Sequence, residues 1–595
     1  MENIIDKIKS ASAAAINNLY QTQIEAKDIS VNVTKPEFTG DYTVVLFSLI
    51  KQIKKSPEAL GNELGTFLIE NNKELFTDFN VIKGFLNLSV SDNFWIGFLE
   101  NNSSDKNFGK AMPTGKKIMV EYSSPNTNKP LHLGHLRNNF LGYSITEILK
   151  EAGNEVYSSC VVNDRGIHIS KSMIAWQQFA NGATPQSTKT KGDHFVGDYY
   201  VKFNDEYKKE IAQLKSAGFS EEDAEKNAPV MKAAQQMLLD WEAGKPEVID
   251  LWKKMNAWVY EGFDETYKQI GTRFDKVYYE SNTYLLGKDL VEEGLMKNVF
   301  YQKEDGSVWI DLTQDGLDEK LVRRKDGTSV YITQDIGLAA QKQKEFGIDE
   351  NIYVVGDEQN YHFKVLKLIC QKLGLPAADY IYHLSYGMVE LPSGKMKSRE
   401  GTVVDADDII LEMKNIARQK TEELGKVSGF SEDELVRLYH VLGLGALKFF
   451  LLRVQPKKKM IFNPEESIDF HGFTGPFIQY TYARIQSIFR KISDESLLRQ
   501  GVQTTNLLPL EKELIKIIEQ YPAAVNEAAT EHDPSKIANY VYSLAKTFNQ
   551  FYAELSITNA ESEDKKIIRL HISEITGNVI KRAMALLGID VPERM

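Results

Sequence analysis

The chain has 595 residues, which at roughly 100 to 200 residues per folding unit makes it a multidomain protein of about three to five units. Hydrophobic residues make up 42% and charged residues 26%, ordinary values for a chain that buries large cores, and they argue against disorder. Lysine and arginine number 71 against 83 aspartates and glutamates, a formal charge of −12, so any polyanion must be met by local basic patches and not by the total charge.

The first 112 residues or so read as a small α/β module. Helical patterns run around 3–20 and 41–75, and KGFLNLSV (83–90) alternates as a strand. The opening MENIIDKIKSASAAAINNLY is an amphipathic helix and not a basic stretch followed by an apolar core and cleavage site. No run of about 18 consecutive apolar residues follows, so no membrane is expected and the cytoplasm is the natural compartment. The polar stretch beginning at Asn101 marks a boundary.

KIMVEYSS (117–124) then reads as a buried strand. After the loop PNTNKP comes a helix carrying Leu133, Leu136, Phe140, Ile145 and Leu149, stopped by Gly153, and then a second strand, EVYSSCVV (155–162). Strand, helix, strand in about 45 residues is a βαβ unit, hence an α/β fold with a Rossmann-type parallel sheet. Residues from about 175 to 300 are mostly helical, with Ser220 as an N-cap, and read as an insertion, because strands return at NIYVVG (351–356) and YIYHLSYGMV (380–389). Beyond about 425 strand signals stop. A capping box, Ser431 with Glu434, opens a C-terminal all-α domain over 426–595. The parallel-sheet domain is thus expected over 113–425.

Two segments carry chemistry. His132-Leu133-Gly134-His135 stands where the first strand's loop enters the first helix. A helix N-terminus offers free N–H groups and partial positive charge to phosphates, and imidazoles at i and i+3 can bond phosphate oxygens. Gly134 removes a side chain where a nucleotide base would press on the backbone. LPSGKMKSREGTVV (391–404) is a polar loop after an apolar strand, whose Lys395, Lys397, Ser398 and Arg399 can meet a triphosphate. The two cysteines, Cys160 and Cys370, are far apart in sequence and form no zinc-spaced pair, so no zinc is expected. The basic clusters at Lys51 to Lys55, Lys320 to Lys325, Arg453 to Lys459 and Arg484 to Lys491 each read first as a solvated face.

PNTNKPLHLGH (125–135) resembles the HIGH signature of class I aminoacyl-tRNA synthetases, and GKMKSREG resembles their KMSKS loop. The flanks are similar to one family, the arginyl-tRNA synthetases: VEYSSPNTNKPLHLGHLRNN, YITQDIG (331–337), IYVVGDEQNYHF (352–363), GMV (387–389), FTGPFIQYTYARI (473–485), the terminal PERM and, in the first module, GDYT (40–43). The resemblance covers essentially the whole chain.

It implies arginine–tRNA ligase activity, with L-arginine, ATP carrying Mg²⁺, and the arginine tRNA as substrates, in a monomer. It assigns Glu121, Ser123, Asn126, Tyr331, Asp335 and Gln359 to arginine, and Pro125, Asn126, Leu133, Gly134, Gly387, Met388 and Val389 to ATP. His132, His135, Lys129, Lys395, Lys397, Ser398 and Arg399 become catalytic, and Gln479, Tyr480, Tyr482 and Arg484 contact tRNA. Read without it, Glu121 is a salt-bridged carboxylate, Asp335 a helix-surface acid, and the tyrosines serve core packing equally well. Two departures stand out. Ser398 fills the slot of the usual second lysine, with Lys129 matching a residue thought to compensate, and NDRG (163–166) replaces Gly-Asp-Trp-Gly, leaving the contact at Arg165 open. The weighed alternatives are another class I synthetase, a small nucleotidyltransferase, and an RNA-binding relative without catalysis.

Overall fold

A computed structural model of the chain describes residues 3–35, 37–376, 378–390, 392, 404–425, 428–492, 497, 500–501 and 506–595. The N-terminal module runs α1 (Ile4–Tyr20), β1 (Ser30–Val33), β2 (Tyr42–Val45), α2 (Phe47–Ile53), α3 (Pro57–Asn71), β3 (Phe76–Ile82), β4 (Phe85–Val90) and α4 (Asp92–Asn102). Its sheet is antiparallel, in the order β1-β2-β4-β3. The stretch 41–75 is therefore not wholly helical. Tyr42, Thr43, Val44 and Val45 are aromatic and β-branched, and pairing on both sides makes them a strand.

The parallel sheet begins with β5 (Lys117–Glu121), α5 (Leu133–Glu151) and β6 (Glu155–Val162). The insertion follows as α6 (Ile167–Phe179), α7 (Pro185–Thr188), α8 (Gly192–Ser216), α9 (Glu221–Asn227), α10 (Pro229–Glu242) and α11 (Pro246–Ile270), and Ser220 caps α9 by accepting from Asp223 N. Next comes β7 (Lys276–Tyr279), which pairs parallel with β6, so the helical insertion closes before 276 and not near 300. Beyond α12 (Glu280–Thr283) and α13 (Lys288–Met296) lies a small antiparallel sheet that the sequence reading missed: β8 (Tyr301–Gln302), β9 (Val308–Ile310) and β10 (Lys320–Arg323). These strands are only two to four residues long, too short for a period to register.

The main sheet is completed by α14 (Tyr331–Phe346), β11 (Glu350–Gly356), α15 (Asn360–Leu373) and β12 (Ile381–Tyr386), giving the order β12-β11-β5-β6-β7. From β5 the chain winds first to one side and later to the other. In such a sheet the crevice opens outside the carboxyl ends of the strands where the winding reverses, here between β5 and β11.

A two-residue strand β13 (Val389–Glu390) precedes α16 (Ala406–Glu423) and α17 (Glu432–Leu452), and pairs with β14 (Met460–Ile461), a strand beyond the point where strand signals seemed to end. Glu434 and Ser431 form the expected capping box. By length and composition α17 is apolar enough to cross a membrane, although charged residues break its apolar run. Two thirds of its most apolar window is buried and it packs on α5, α16 and α19, which makes it a core helix. The remaining helices are α18 (Pro464–Ser467), α19 (Gly475–Arg490), α20 (Pro509–Glu519), α21 (Tyr521–Glu531), α22 (Ser535–Glu554) and α23 (Glu563–Leu586).

Candidate active site at the head of the parallel sheet

The crossing from β5 to α5 is tightly held. Ser123 and Ser124 both take positive φ, 77° and 46°, a conformation that survives only when its surroundings over-determine it. Ser123 N donates to Asn138 Oδ1, and Asn138 Nδ2 donates in turn to Val354 O at 2.7 Å, which ties α5 to β11. The Ser123 hydroxyl is engaged by Tyr267 OH at 2.7 Å and Asn139 Nδ2 at 3.1 Å. Its side chain thus braces the crossing.

The loop delivers the two histidines to the start of α5. His132 is the N-cap: its Nδ1 accepts from Gly134 N at 3.1 Å, while His135 Nδ1 accepts from His132 N at 3.1 Å, a capping box made of imidazoles. The ring centroids lie 3.9 Å apart. Burial and Lys129 bring His132 down to about 4 against the upward pull of Asp405, and burial, His132 and Lys129 lower His135 as well. Both rings are therefore neutral at physiological pH, and because Nδ1 accepts in each, the proton resides on Nε2.

A Cβ at Gly134 would lie 3.0 Å from His132 Cε1, so the glycine makes room for the capping imidazole. Leu133 is fully buried and its N–H is used on Val404 O at 3.3 Å, so its side chain faces the core and not a nucleotide. Pro125 is buried, with its carbonyl accepting from Asn163 N at 2.9 Å, and Asn126 is exposed beside it. Lys129, lowered by burial, lines a cavity of about 210 Å³ with His132, His194, Asp198 and Asp405.

On the other flank Arg137, fully buried in α5, donates to Gly387 O at 2.6 Å, Lys458 O at 2.9 Å and Pro456 O at 3.1 Å. A Cβ at Gly387 would meet the backbone of Lys458 at 2.7 Å, so glycine is required there by close packing. Met388 and Val389 follow on this fixed backbone, Met388 O accepting from Met460 N at 3.2 Å. Arg137 escaped the sequence reading because nothing local distinguishes a helical arginine that folds inward. Lys395, Lys397, Ser398 and Arg399 lie outside the described residues.

The acidic residues sit between β5, β7 and α14. Glu121, buried at the end of β5, holds the fully buried ammonium of Lys342. Lys342 lies seven residues after Asp335 on α14, about two turns along the same side. Asp335 pairs with His362 at 2.7 Å, and the buried phenol of Tyr353 is raised by burial and by both Glu121 and Asp335. Tyr331 is 72% exposed at the start of α14, and Gln359 is exposed before α15.

A third carboxylate, Glu280, begins α12 directly after β7 and went unread in the sequence. Burial raises its carboxyl to about 7, with Arg165 pulling down and Asp164 and Asp335 pushing up. Among the described residues it has no ion-pair partner. Arg165 itself stacks on Tyr284 at 4.0 Å and pairs with Glu242 at 2.8 Å, which accounts for the arginine of NDRG.

Three family models match the chain: tRNA synthetases class I (R), catalytic domain, over 99–463, the arginyl tRNA synthetase N terminal domain over 4–90, and the DALR anticodon binding domain over 478–595. Relatives named arginine–tRNA ligase include one from Flavobacterium psychrophilum, 55% identical over 98% of both chains, and one from Bacteroides fragilis, 51% identical over 100% of both. This chain belongs to the arginyl-tRNA synthetase family. Among solved structures, its fold matches the arginyl-tRNA synthetase of Thermus thermophilus with a TM-score of 0.75 over 99% of both chains at 23% identity. That of Plasmodium falciparum matches with 0.77 over 100% of both at 18%.

Within the arginyl-tRNA synthetase frame, the C-terminal candidates separate into two pairs. Gln479 is fully buried and donates to Asp590 O at 2.8 Å and Val441 O at 3.0 Å, and Tyr482 is packed in the core, so neither presents a side chain to RNA. Tyr480 and Arg484 instead line a groove of about 520 Å³ with Phe430, Arg490, Tyr552 and Arg594. The Arg484 guanidinium lies 4.9 Å from the Tyr480 ring and 5.0 Å from that of Tyr552, and donates to Asn549.

Proposed function

We propose that this chain activates L-arginine with ATP and transfers it to the 3′ end of its transfer RNA. The observation that carries the reading is the pair of neutral imidazoles at the head of α5, whose Nε2–H groups are the donors left free by their capping bonds. They sit at the head of α5, next to the sheet's switch point, and the acidic groups at the end of β5 and on α12 and α14 are of the kind a cationic amino acid requires.

In the proposed reaction the arginine carboxylate attacks the α-phosphorus of ATP in line, forming arginyl-adenylate while pyrophosphate leaves with its Mg²⁺. A hydroxyl of the terminal ribose of the tRNA then attacks the arginyl carbonyl carbon and AMP departs. His132 and His135 hold phosphate oxygens, Lys129 adds charge, and the backbone from Gly387 to Val389 with Gly134 borders the adenine. Catalysis is positioning plus charge stabilisation, and no covalent enzyme intermediate is needed. Lys395, Lys397, Ser398 and Arg399 enter this scheme on resemblance alone.

For arginine, Glu280 and Asp335 supply the negative charge, with Tyr331, Asn126 and Gln359 at the rim. Glu121 reaches the pocket already neutralised by Lys342, which supports a structural part for it ahead of direct contact. The groove around Tyr480 and Arg484 suits unstacked anticodon bases. At the elbow of the tRNA, Lys51 and Lys54 are the candidates of the N-terminal module, since Lys55 is paired with Glu63 at 2.5 Å. A cytoplasmic monomer completes the proposal. ATP–pyrophosphate exchange, run with each amino acid in the presence of tRNA, tests it: arginine alone should support exchange, and activity with a different amino acid but not arginine would overturn the reading.

A further inference from the structure

The first turn of α16 is gripped from two sides. On one side its approach is joined to the histidine loop through the backbone: Leu133 N donates to Val404 O at 3.3 Å, Ala406 N donates to Leu131 O at 3.0 Å, and His132 and Asp405 form an antiparallel bridge. On the other side it meets the helical insertion through side chains. Asp407 accepts from Lys191 Nζ at 2.6 Å, from Thr266 Oγ1 at 2.9 Å and from His194 Nε2 at 3.2 Å, and His194 Nε2 also lies 3.2 Å from Asp405 Oδ2.

Asp193, His194 and Asp407 converge closely enough to suggest a metal site, their ligand atoms within 4.8 Å of one another. The Lys191 ammonium, 2.6 Å from Asp407 and 3.3 Å from Asp193, already supplies the positive charge there. The cluster is thus an ion-paired clasp. It is sheltered, with Lys191 and Asp407 side chains only 15% and 20% exposed, so it holds its geometry better than a surface pair would. Hydrogen bonds to Asp405 and Asp407 raise His194 to about 10, and although burial works against Asp407, His194 and Lys191 hold it near 2, so the charges persist throughout the neutral range. His194 and Asp405 also line the same cavity as His132 and Lys129.

We propose that Asp407 and His194 are positioning residues for His132: through this clasp the helical insertion fixes the first turn of α16, and with it the Leu131 to Leu133 backbone that presents the imidazole to ATP. The proposal rests on the reading that His132 meets the phosphates. The effect of Asp407 and His194 passes through the backbone pairing, and misplacing a reacting group by about 1 Å can cost on the order of a hundredfold in rate.

The test is a double-mutant cycle on the full-length chain at saturating tRNA, with Asp407→Asn, His132→Gln and the two combined, reading kcat and both KM values in ATP–pyrophosphate exchange. Asp407→Asn should lower kcat about tenfold or more with the arginine KM within about twofold, and should add little once His132→Gln is present. Asp407→Glu should recover part of the loss. Unchanged kcat in Asp407→Asn, or losses that simply multiply in the double variant, would overturn the positioning role. Full activity of His132→Gln alone would instead remove the phosphate reading itself. Should Asp407→Asn not fold, Thr266→Val, which deletes the hydroxyl's bonds to Asp407 and from Lys191 and none of the charges, reads the same coupling.

Discussion

The ammonium of Lys342 on α14 is bound to the carboxylate of Glu121 at the end of β5, and both are buried. Removing one member of such a pair strands the other charge in the interior, at a cost of about 3–5 kcal/mol. Lys342→Met should therefore lower the unfolding free energy by that order in urea titrations, and Glu121→Gln in the same chain should restore most of it. Wild-type stability in Lys342→Met would show that Glu121 does not depend on the ammonium.

His135→Ala should reduce adenylate formation by about 10² to 10³-fold, the scale of losing one preorganised donor to developing charge, with tRNA affinity close to normal. Single-turnover formation of arginyl-adenylate and a filter-binding titration separate the two. An unchanged exchange rate would exclude the phosphate role of this ring.

The neutral state of His132 has a thermodynamic signature. Its folded value of about 4 lies below the ordinary 6.5, so the native state binds fewer protons than the unfolded chain in that interval. This stability is fully present above pH 6.5 and is lost as pH falls toward 4. Thermal melts of the wild type should drop across that window more steeply than those of His132→Gln, and parallel curves would refute the assignment.

Glu280 should make arginine binding pH-dependent. Its carboxyl sits near 7, and only the ionised form attracts a cation, so the arginine KM should rise as pH falls from 8 to 6. Glu280→Gln should raise the KM at pH 8 and flatten the profile. A Glu280→Gln profile as steep as the wild type would assign the titration to another group.

In the C-terminal groove, Tyr480→Ala should raise the KM for tRNA about 5 to 150-fold, given roughly 1–3 kcal/mol per stacked base. Arg484→Ala should also flatten its dependence on salt. Gln479→Leu should act on stability instead, because its amide serves two backbone carbonyls inside the domain. Equal tRNA effects at 479 and 480 would contradict this division.

That division was within reach of the sequence. Ile478, Tyr482 and Ile485 follow the i, i+4, i+7 spacing of a buried stripe, whereas Tyr480, Arg484 and Ser487 follow the same spacing on the opposite side. Motif resemblance had grouped 479, 480, 482 and 484 together, although one helix cannot turn all four to a single partner. Glu280 offered no such signal, because its meaning depends on β7 pairing with β6 and on α12 packing against α14.

What the sequence determined by itself is what neighbours in the chain can decide: the βαβ unit, the imidazoles at the entrance of α5, the caps at Ser220 and Ser431, and the succession of domains. Hydrogen-bonding pattern and apolar period act over a few residues, and so they are written locally. Tertiary structure decided the partners, Lys342 for Glu121, the Gly387 carbonyl for Arg137 and Asp407 for His194, and with them which charges are neutralised and which remain for a substrate. Those pairs are joined only when parallel strands and their crossovers bring distant segments together, and in a poorly solvated interior a carboxylate's role follows from the cation beside it.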